Sequence, residues 1–155
     1  PLLSAPSYDE IWVLLAPELA HHVHRDIWKG IALETALIPL GFYLADRVLI
    51  AFAGSVGLQG KSDIAGLPLL LLTAGAVSVA LLPLANAFSR AHERRADRYA
   101  LEMTNNAGAF VTAMKRLAVQ NLAEEHPSRL VEMLFHSHPS MSSRIAAAQA
   151  WASRH

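Results

Sequence analysis

The chain has 155 residues, which suggests one domain, or one domain with membrane elements. Hydrophobic residues make up 53% and charged residues 17%, and this composition excludes a disordered chain, which combines low hydrophobicity with high net charge. Thirteen Lys and Arg balance thirteen Asp and Glu, so no basic surface points to nucleic acid as a partner, and the absence of Cys excludes thiolate metal sites. Eight histidines are more than a plain helix bundle requires.

The first predicted helix begins at a capping box formed by Ser7 and Glu10. Its helical period continues as far as Trp28, with Pro17 well inside it. An internal proline removes a backbone hydrogen bond and costs about 3 kcal/mol. The sequence therefore predicts either a kink at Ala16 or a second helix that begins with Pro17 in its first turn.

Two apolar runs follow this helix. Residues 64–88 carry no charge and would cover about 37 Å as a helix, enough for a hydrocarbon core of about 30 Å. Residues 28–58 are also apolar but contain Glu34, Asp46 and Arg47, which are costly inside a membrane. A glycine-rich turn separates the runs, so we expect an antiparallel transmembrane hairpin. The alternative for residues 64–88 is a buried core helix, and the alternative for residues 28–58 is a surface-lying or partly buried helix.

The distribution of positive charge predicts the orientation of this hairpin. Its tip holds Lys61, which Asp63 offsets, whereas its two ends are more basic. The basic residues at those ends are Arg25, Lys29, Arg90, Arg94, Arg95 and Arg98. We therefore expect an integral membrane protein whose hairpin ends are cytoplasmic. The first residues do not resemble a signal peptide, and the missing initiator Met leads us to expect a longer parent chain.

A line of polar residues leaves the second apolar run. Asn86, Arg90, Glu93 and Asp97 fall at steps of four and three, which places them on one helix face. A solvated charged face is the plain alternative, but it needs no such order. A further polar cluster lies at residues 135–144, where His-Pro is by itself only a loop dipeptide.

Together these motifs resemble the membrane-embedded zinc metallopeptidases of the CAAX prenyl protease and HtpX type. The first helix carries P-E-L-A-H at residues 17–21, close to the H-E-x-x-H of such enzymes. The N-x-x-S-R-x-x-E-x-x-A-D motif is complete from Asn86 to Asp97, and a His-Pro element ends in Arg-Ile between His138 and Ile145. The resemblance implies an all-α, gluzincin-type helical metallopeptidase core with an inserted transmembrane helical hairpin.

The expected organisation is a single peptidase domain fragment over residues 1–155. Its parts are an active-site helix (7–27), the transmembrane hairpin (28–88), a second metal-ligand helix (89–104) and C-terminal helices with the His-Pro element (105–155).

The resemblance also implies zinc as the cofactor and a role for each motif residue. In that pattern Glu18 is the general base, and His21 and Glu93 are zinc ligands. Asp97 orients a histidine ligand, and Asn86 also supports the ligands. His138 and Arg144 contact the substrate or the tetrahedral oxyanion.

One departure from the family pattern puts activity in doubt. Pro17 occupies the position of the first ligand histidine, and a proline cannot bind a metal. A catalytic zinc usually has three protein ligands, so we expect weakened or absent zinc binding. His24 is a possible substitute ligand because it follows His21 by three residues, but it would draw the ion away from Glu18.

The sequence therefore predicts a zinc-dependent membrane metalloendopeptidase whose water is activated by Glu18 and whose activity is impaired by Pro17. Its partners would be a peptide or membrane-protein substrate and the lipid bilayer. The alternative is a catalytically inactive pseudopeptidase that acts as a membrane binding or scaffold protein. A weaker third hypothesis is a histidine-rich metal-binding helical protein without peptidase ancestry. The particular substrate and the oligomeric state are not indicated by the sequence.

Overall fold

The structure is a computed structural model that describes residues 6–60, 63–120 and 128–155. Six α-helices occur in this part of the chain, and no strand does, which confirms the prediction of an all-α fold. They are α1 (Tyr8–Val23), α2 (Asp26–Ala53), α3 (Leu67–Thr104), α4 (Ala107–Gln120), α5 (Arg129–Phe135) and α6 (Met141–Ala152). Single 3-10 turns at Gly54–Val56 and Ile64–Gly66 lie between α2 and α3.

The predicted capping box begins α1. The Glu10 amide donates to Ser7 Oγ at 3.2 Å, and the Ser7 amide donates to Glu10 Oε2 at 2.7 Å. The bond from the Ser7 amide, reinforced by Arg116, holds the pKa of Glu10 below its ordinary value. Pro17 lies inside α1, so no new helix begins there, and the helix ends before Arg25, whose φ of 54° is left-handed.

A small core joins α1 to α4, α6 and the last turns of α3. Its fully buried members are mostly small, and Phe110, Met114 and Val13 are the largest of them. The other members are Ala16, Ala100, Leu101, Ala113 and Ala148. An ion pair between Arg116 and Glu10, at 3.1 Å, ties α4 to α1 beside this core. This packing fixes the two helices that carry the predicted metal ligands.

The chain divides into two compact units. One consists of Pro1–Ile27 with Asn86–His155, and the other of Trp28–Ala85. Every residue that the motifs single out belongs to the first unit. The second unit contains most of α2 and the first half of α3.

Two helical stretches are long and apolar enough to cross a membrane, Asp26–Val56 and Ile64–Thr104. In their most apolar windows only 17% and 6% of the residues are buried. A core helix of a soluble protein would be mostly buried, so these proportions favour the membrane interpretation of the two runs.

A compact turn connects these apolar helices. The Leu58 amide donates to Ala53 O at 2.9 Å, and Asp63 accepts hydrogen bonds from the amides of Gln59 and Ala65. Within residues 28–85, α2 and α3 flank an apolar cavity of about 460 Å³. Lys61, on which the predicted orientation partly rests, lies outside the described residues.

Replacing Phe110 with Ala should lower the free energy of unfolding by about 3–5 kcal/mol, because it empties the largest fully buried position of the core. Denaturant titration in detergent micelles measures this loss. Val119→Ala on the same helix is the matched control, since Val119 is exposed and should change stability by less than about 0.5 kcal/mol. Equal losses in the two variants would contradict the assigned core.

Candidate active site

The two predicted zinc ligands, one on α1 and one on α3, lie close to each other. His21 Nε2 lies 3.6 Å from Glu93 Oε1, and both side chains are largely buried. Two ligands of one tetrahedral zinc ion, each at 2.0–2.2 Å from it, are about 3.4 Å apart. The two predicted ligands therefore stand at a distance that suits binding to the same ion.

A carboxylate behind His21 orients its ring. Asp26, at the start of α2, lies 3.0 Å from His21 Nδ1 through its Oδ2 atom. This contact suits a proton on Nδ1 and leaves the Nε2 lone pair directed to the Glu93 side, the arrangement usual for metal-binding histidines. Asp26 is buried and also forms an ion pair with Arg95, so its position is well fixed.

Sequence reasoning overlooked Asp26 and gave the histidine-orienting role to Asp97. A signal was available, since a carboxylate five residues after a ligand histidine can return to it across a helix break. That break, at Arg25, was not predicted. The role of Asp97 in orienting a histidine stays a prediction, and its hydrogen bonds go elsewhere.

Asp97 binds Arg144 through two hydrogen bonds. Arg144 Nε donates to Asp97 Oδ2 at 2.8 Å, and a second guanidinium nitrogen donates to Oδ1. Burial opposes the charge of the guanidinium, but hydrogen bonding to Asp97 and the charges of Asp97 and Glu93 outweigh it and raise the pKa of Arg144. The contact joins α6 to α3, and only 10% of the Arg144 side chain is exposed.

Asn86 and Arg90 hold the end of α5. Arg90 donates to three backbone carbonyls, those of Glu132, Met133 and His136, at 2.9, 3.3 and 2.6 Å. Asn86 Nδ2 donates to Leu134 O at 2.7 Å. The last carbonyls of a helix have no partner within it, so these two side chains cap α5 and fix the segment that follows.

That segment brings His138 to the metal ligands. His138 Nδ1 lies 3.2 Å from Glu93 Oε1, and 65% of its side chain is exposed. The carboxylate of Glu93 thus approaches two imidazoles that come from different parts of the chain, one on α1 and one in the loop before α6.

The remaining predicted residues lie on α1 or just after it. Pro17 is buried and offers no metal donor, while Glu18 is exposed three residues before His21. His24 Nδ1 is 2.7 Å from Ala20 O, and its ring meets Tyr99 edge-on at 5.7 Å. Among the described residues, no three His, Asp or Glu side chains converge to hold a metal ion as they stand. Two donors therefore fit zinc, and the third position is not filled.

Comparison with known proteins decides the family. The profile of peptidase family M48 matches residues 1–152. The chain belongs to peptidase family M48. The predicted resemblance to HtpX-type membrane metallopeptidases is thereby confirmed.

Several relatives are similar to this M48 chain over most of its length. It is 36% identical over 144 residues to the uncharacterized metalloprotease YhfN of Bacillus subtilis, covering 90% of this chain and 34% of that protein. It is 32% identical over 128 residues to a protease HtpX homolog of Aeropyrum pernix, covering 80% and 38%. A protease HtpX homolog of Methylibium petroleiphilum is 30% identical over 165 residues, covering 94% and 56%. The chain thus spans about a third of the first two relatives, and no solved structure matches it significantly.

Replacing Arg90 with Ala should speed amide hydrogen exchange in residues 132–140 by about 10- to 100-fold. The reason is that the carbonyls at the end of α5 lose a charged donor, a loss of about 1–3 kcal/mol. Exchange measured by mass spectrometry resolves this segment. Arg98→Ala, an exposed position on the same helix, should leave it unchanged. If Arg90→Ala speeds exchange equally along the whole chain, Arg90 does not hold the end of α5 locally.

Proposed function

We propose that this M48 chain carries the catalytic site of a zinc-dependent membrane metalloendopeptidase, impaired by Pro17. The observation that carries the proposal is the 3.6 Å approach of His21 Nε2 to Glu93 Oε1, with Asp26 behind the histidine. A neutral imidazole and a carboxylate, one of them oriented by a buried acid, are a typical part of a catalytic zinc site. The names of the relatives, which include metalloprotease and protease, agree with this function.

Each of the site residues has a separate role in the proposed hydrolysis. A bound zinc ion would polarise the scissile carbonyl and lower the pKa of the attacking water. His21 and Glu93 would hold the ion, and Asp26 would keep the His21 ring in the ligating tautomer. Glu18 lies on the face of α1 that carries His21, where it takes the proton from the water and passes it to the leaving amine.

Arg144 contributes by position rather than by contact with the substrate. Its guanidinium is bound by Asp97 and mostly buried, so it anchors α6 to α3. Together with Arg90 it holds the loop that carries His138 at both ends. This arrangement keeps an imidazole at the opening of the site, beside Glu93.

Pro17 supports a second candidate function, that of an inactive pseudopeptidase which acts as a membrane binding or scaffold protein. A proline at this position removes one donor, and the described residues do not converge on a complete set of three. In this alternative the helices are retained, Asn86 and Arg90 still cap α5, and hydrolysis is lost.

The variant Pro17→His tests the peptidase proposal. It should raise the rate of casein hydrolysis by at least about 100-fold, since it returns a donor four residues before His21 and beside Glu18. Pro17→Ala is the matched control, because it removes the proline without adding a donor and should stay at the original rate. Pro17→His/Glu18→Gln should bind zinc but lose the regained activity.

A Pro17→His variant that is folded, zinc-loaded and still inert would contradict the role given to Glu18. It would leave the pseudopeptidase as the better account of the chain.

We further propose that the site faces the cytoplasm, because the basic residues cluster at the end of the hairpin that leads to it. Alkaline phosphatase inserted after Gly57, in the exposed turn, should be active outside the cytoplasm. Green fluorescent protein fused after His155 should fluoresce inside it. The reverse pattern would contradict the orientation, and two fusions on one side would contradict the hairpin.

A further inference from the structure

The loss of a donor at Pro17 raises the question of which side chain completes the metal site in this chain. Glu93 Oε1 supplies a reference point, since it approaches two imidazole nitrogens. It lies 3.6 Å from His21 Nε2 and 3.2 Å from His138 Nδ1. Both separations are close to the distance of about 3.4 Å between two ligands of one tetrahedral zinc ion. His138 therefore stands at ligand distance from a predicted ligand.

The other histidines near His21 are engaged differently. His24 Nδ1 is bound to Ala20 O, and its ring packs against Tyr99. His92 packs its ring against Phe88, with centroids 4.2 Å apart, and its Nε2 is 3.8 Å from Asp26. His24 Nδ1 thus lies against a backbone carbonyl and His92 Nε2 lies beside Asp26, whereas His138 Nδ1 lies 3.2 Å from Glu93.

His138 can also reach an ion at low cost. Its side chain is 65% exposed, so its ring can rotate without disturbing a packed neighbour. The backbone on either side is fixed, by Arg90 at the His136 carbonyl and by Arg144 at Asp97. The three side chains do not converge on one point as they stand, so His138 would have to turn toward His21 and Glu93 to complete a set of three donors.

We propose that His138 is the third protein ligand of zinc in this chain, together with His21 and Glu93. The proposal rests on the zinc peptidase function proposed above. It assigns to His138 a metal-binding role in place of the substrate or oxyanion contact that the family resemblance implies. The chain then keeps a metal site despite Pro17, and it loses the free imidazole that would act on the substrate. Zinc binding without efficient hydrolysis follows.

Zinc affinity in a set of four proteins tests this assignment without relying on activity. The proteins are the unchanged chain, His138→Ala, Pro17→His and Pro17→His/His138→Ala, each purified in detergent and titrated with zinc against a chelator. We expect about one zinc per unchanged chain and an affinity at least about 100-fold lower in His138→Ala. In the double variant the zinc should return, because a histidine at position 17 makes His138 unnecessary as a ligand.

Two additions keep the result interpretable. His24→Ala removes the competing histidine and should leave the affinity unchanged. Cobalt(II) in the unchanged chain should give the intense visible absorption of a four-coordinate site, which His138→Ala should lose. If His138→Ala does not fold, as judged by circular dichroism, His138→Gln replaces it.

Equal zinc affinity in the unchanged chain and His138→Ala would overturn the assignment, as would loss of zinc in His24→Ala or an unchanged chain that binds no zinc. The peptidase proposal is judged separately, by the activity of Pro17→His. A variant Pro17→His that hydrolyses casein while His138→Ala keeps its zinc would reject the ligand role of His138 alone.

Discussion

The approach of Glu93 to His21 is the contact on which the rest of the candidate site depends. It joins a helix that begins near the start of the chain to one that follows the two apolar runs. Both side chains are partly buried, and a metal ion between them would take one donor atom from the imidazole and one from the carboxylate. Asp26 contacts the other ring nitrogen, Nδ1, so Nε2 is the nitrogen of His21 that faces Glu93.

One face of α3 organises everything around that contact. Asn86 and Arg90 cap the end of α5, Glu93 meets the two imidazoles, and Asp97 binds Arg144 on α6. The polar residues of this face thus hold the end of α5, two imidazoles from other parts of the chain, and α6. These contacts explain why the line of polar residues is more ordered than a solvated face requires.

The sequence predicted much of this because the signals were local. The capping box at Ser7, the two apolar runs and the polar face of α3 all follow from spacing within a few turns of helix. The groups that this face of α3 binds could not be predicted from such local spacing. Arg90 meets carbonyls more than forty residues away, and Asp97 meets Arg144 at a similar separation. Such pairs are decided by packing. The left-handed residue Arg25, which returns Asp26 to His21, is also invisible to helical periodicity.

His21 and Glu93 form the fixed part of the proposed metal site, and only the third ligand is open to change. Isothermal titration of zinc into the chain and into its His21→Ala, Glu93→Ala and His21→Ala/Glu93→Ala variants tests that claim most directly. Each single replacement should weaken zinc binding by at least about 100-fold, and the double replacement should abolish it. A Glu93→Ala variant that is folded and binds zinc as tightly as the unchanged chain would contradict the account.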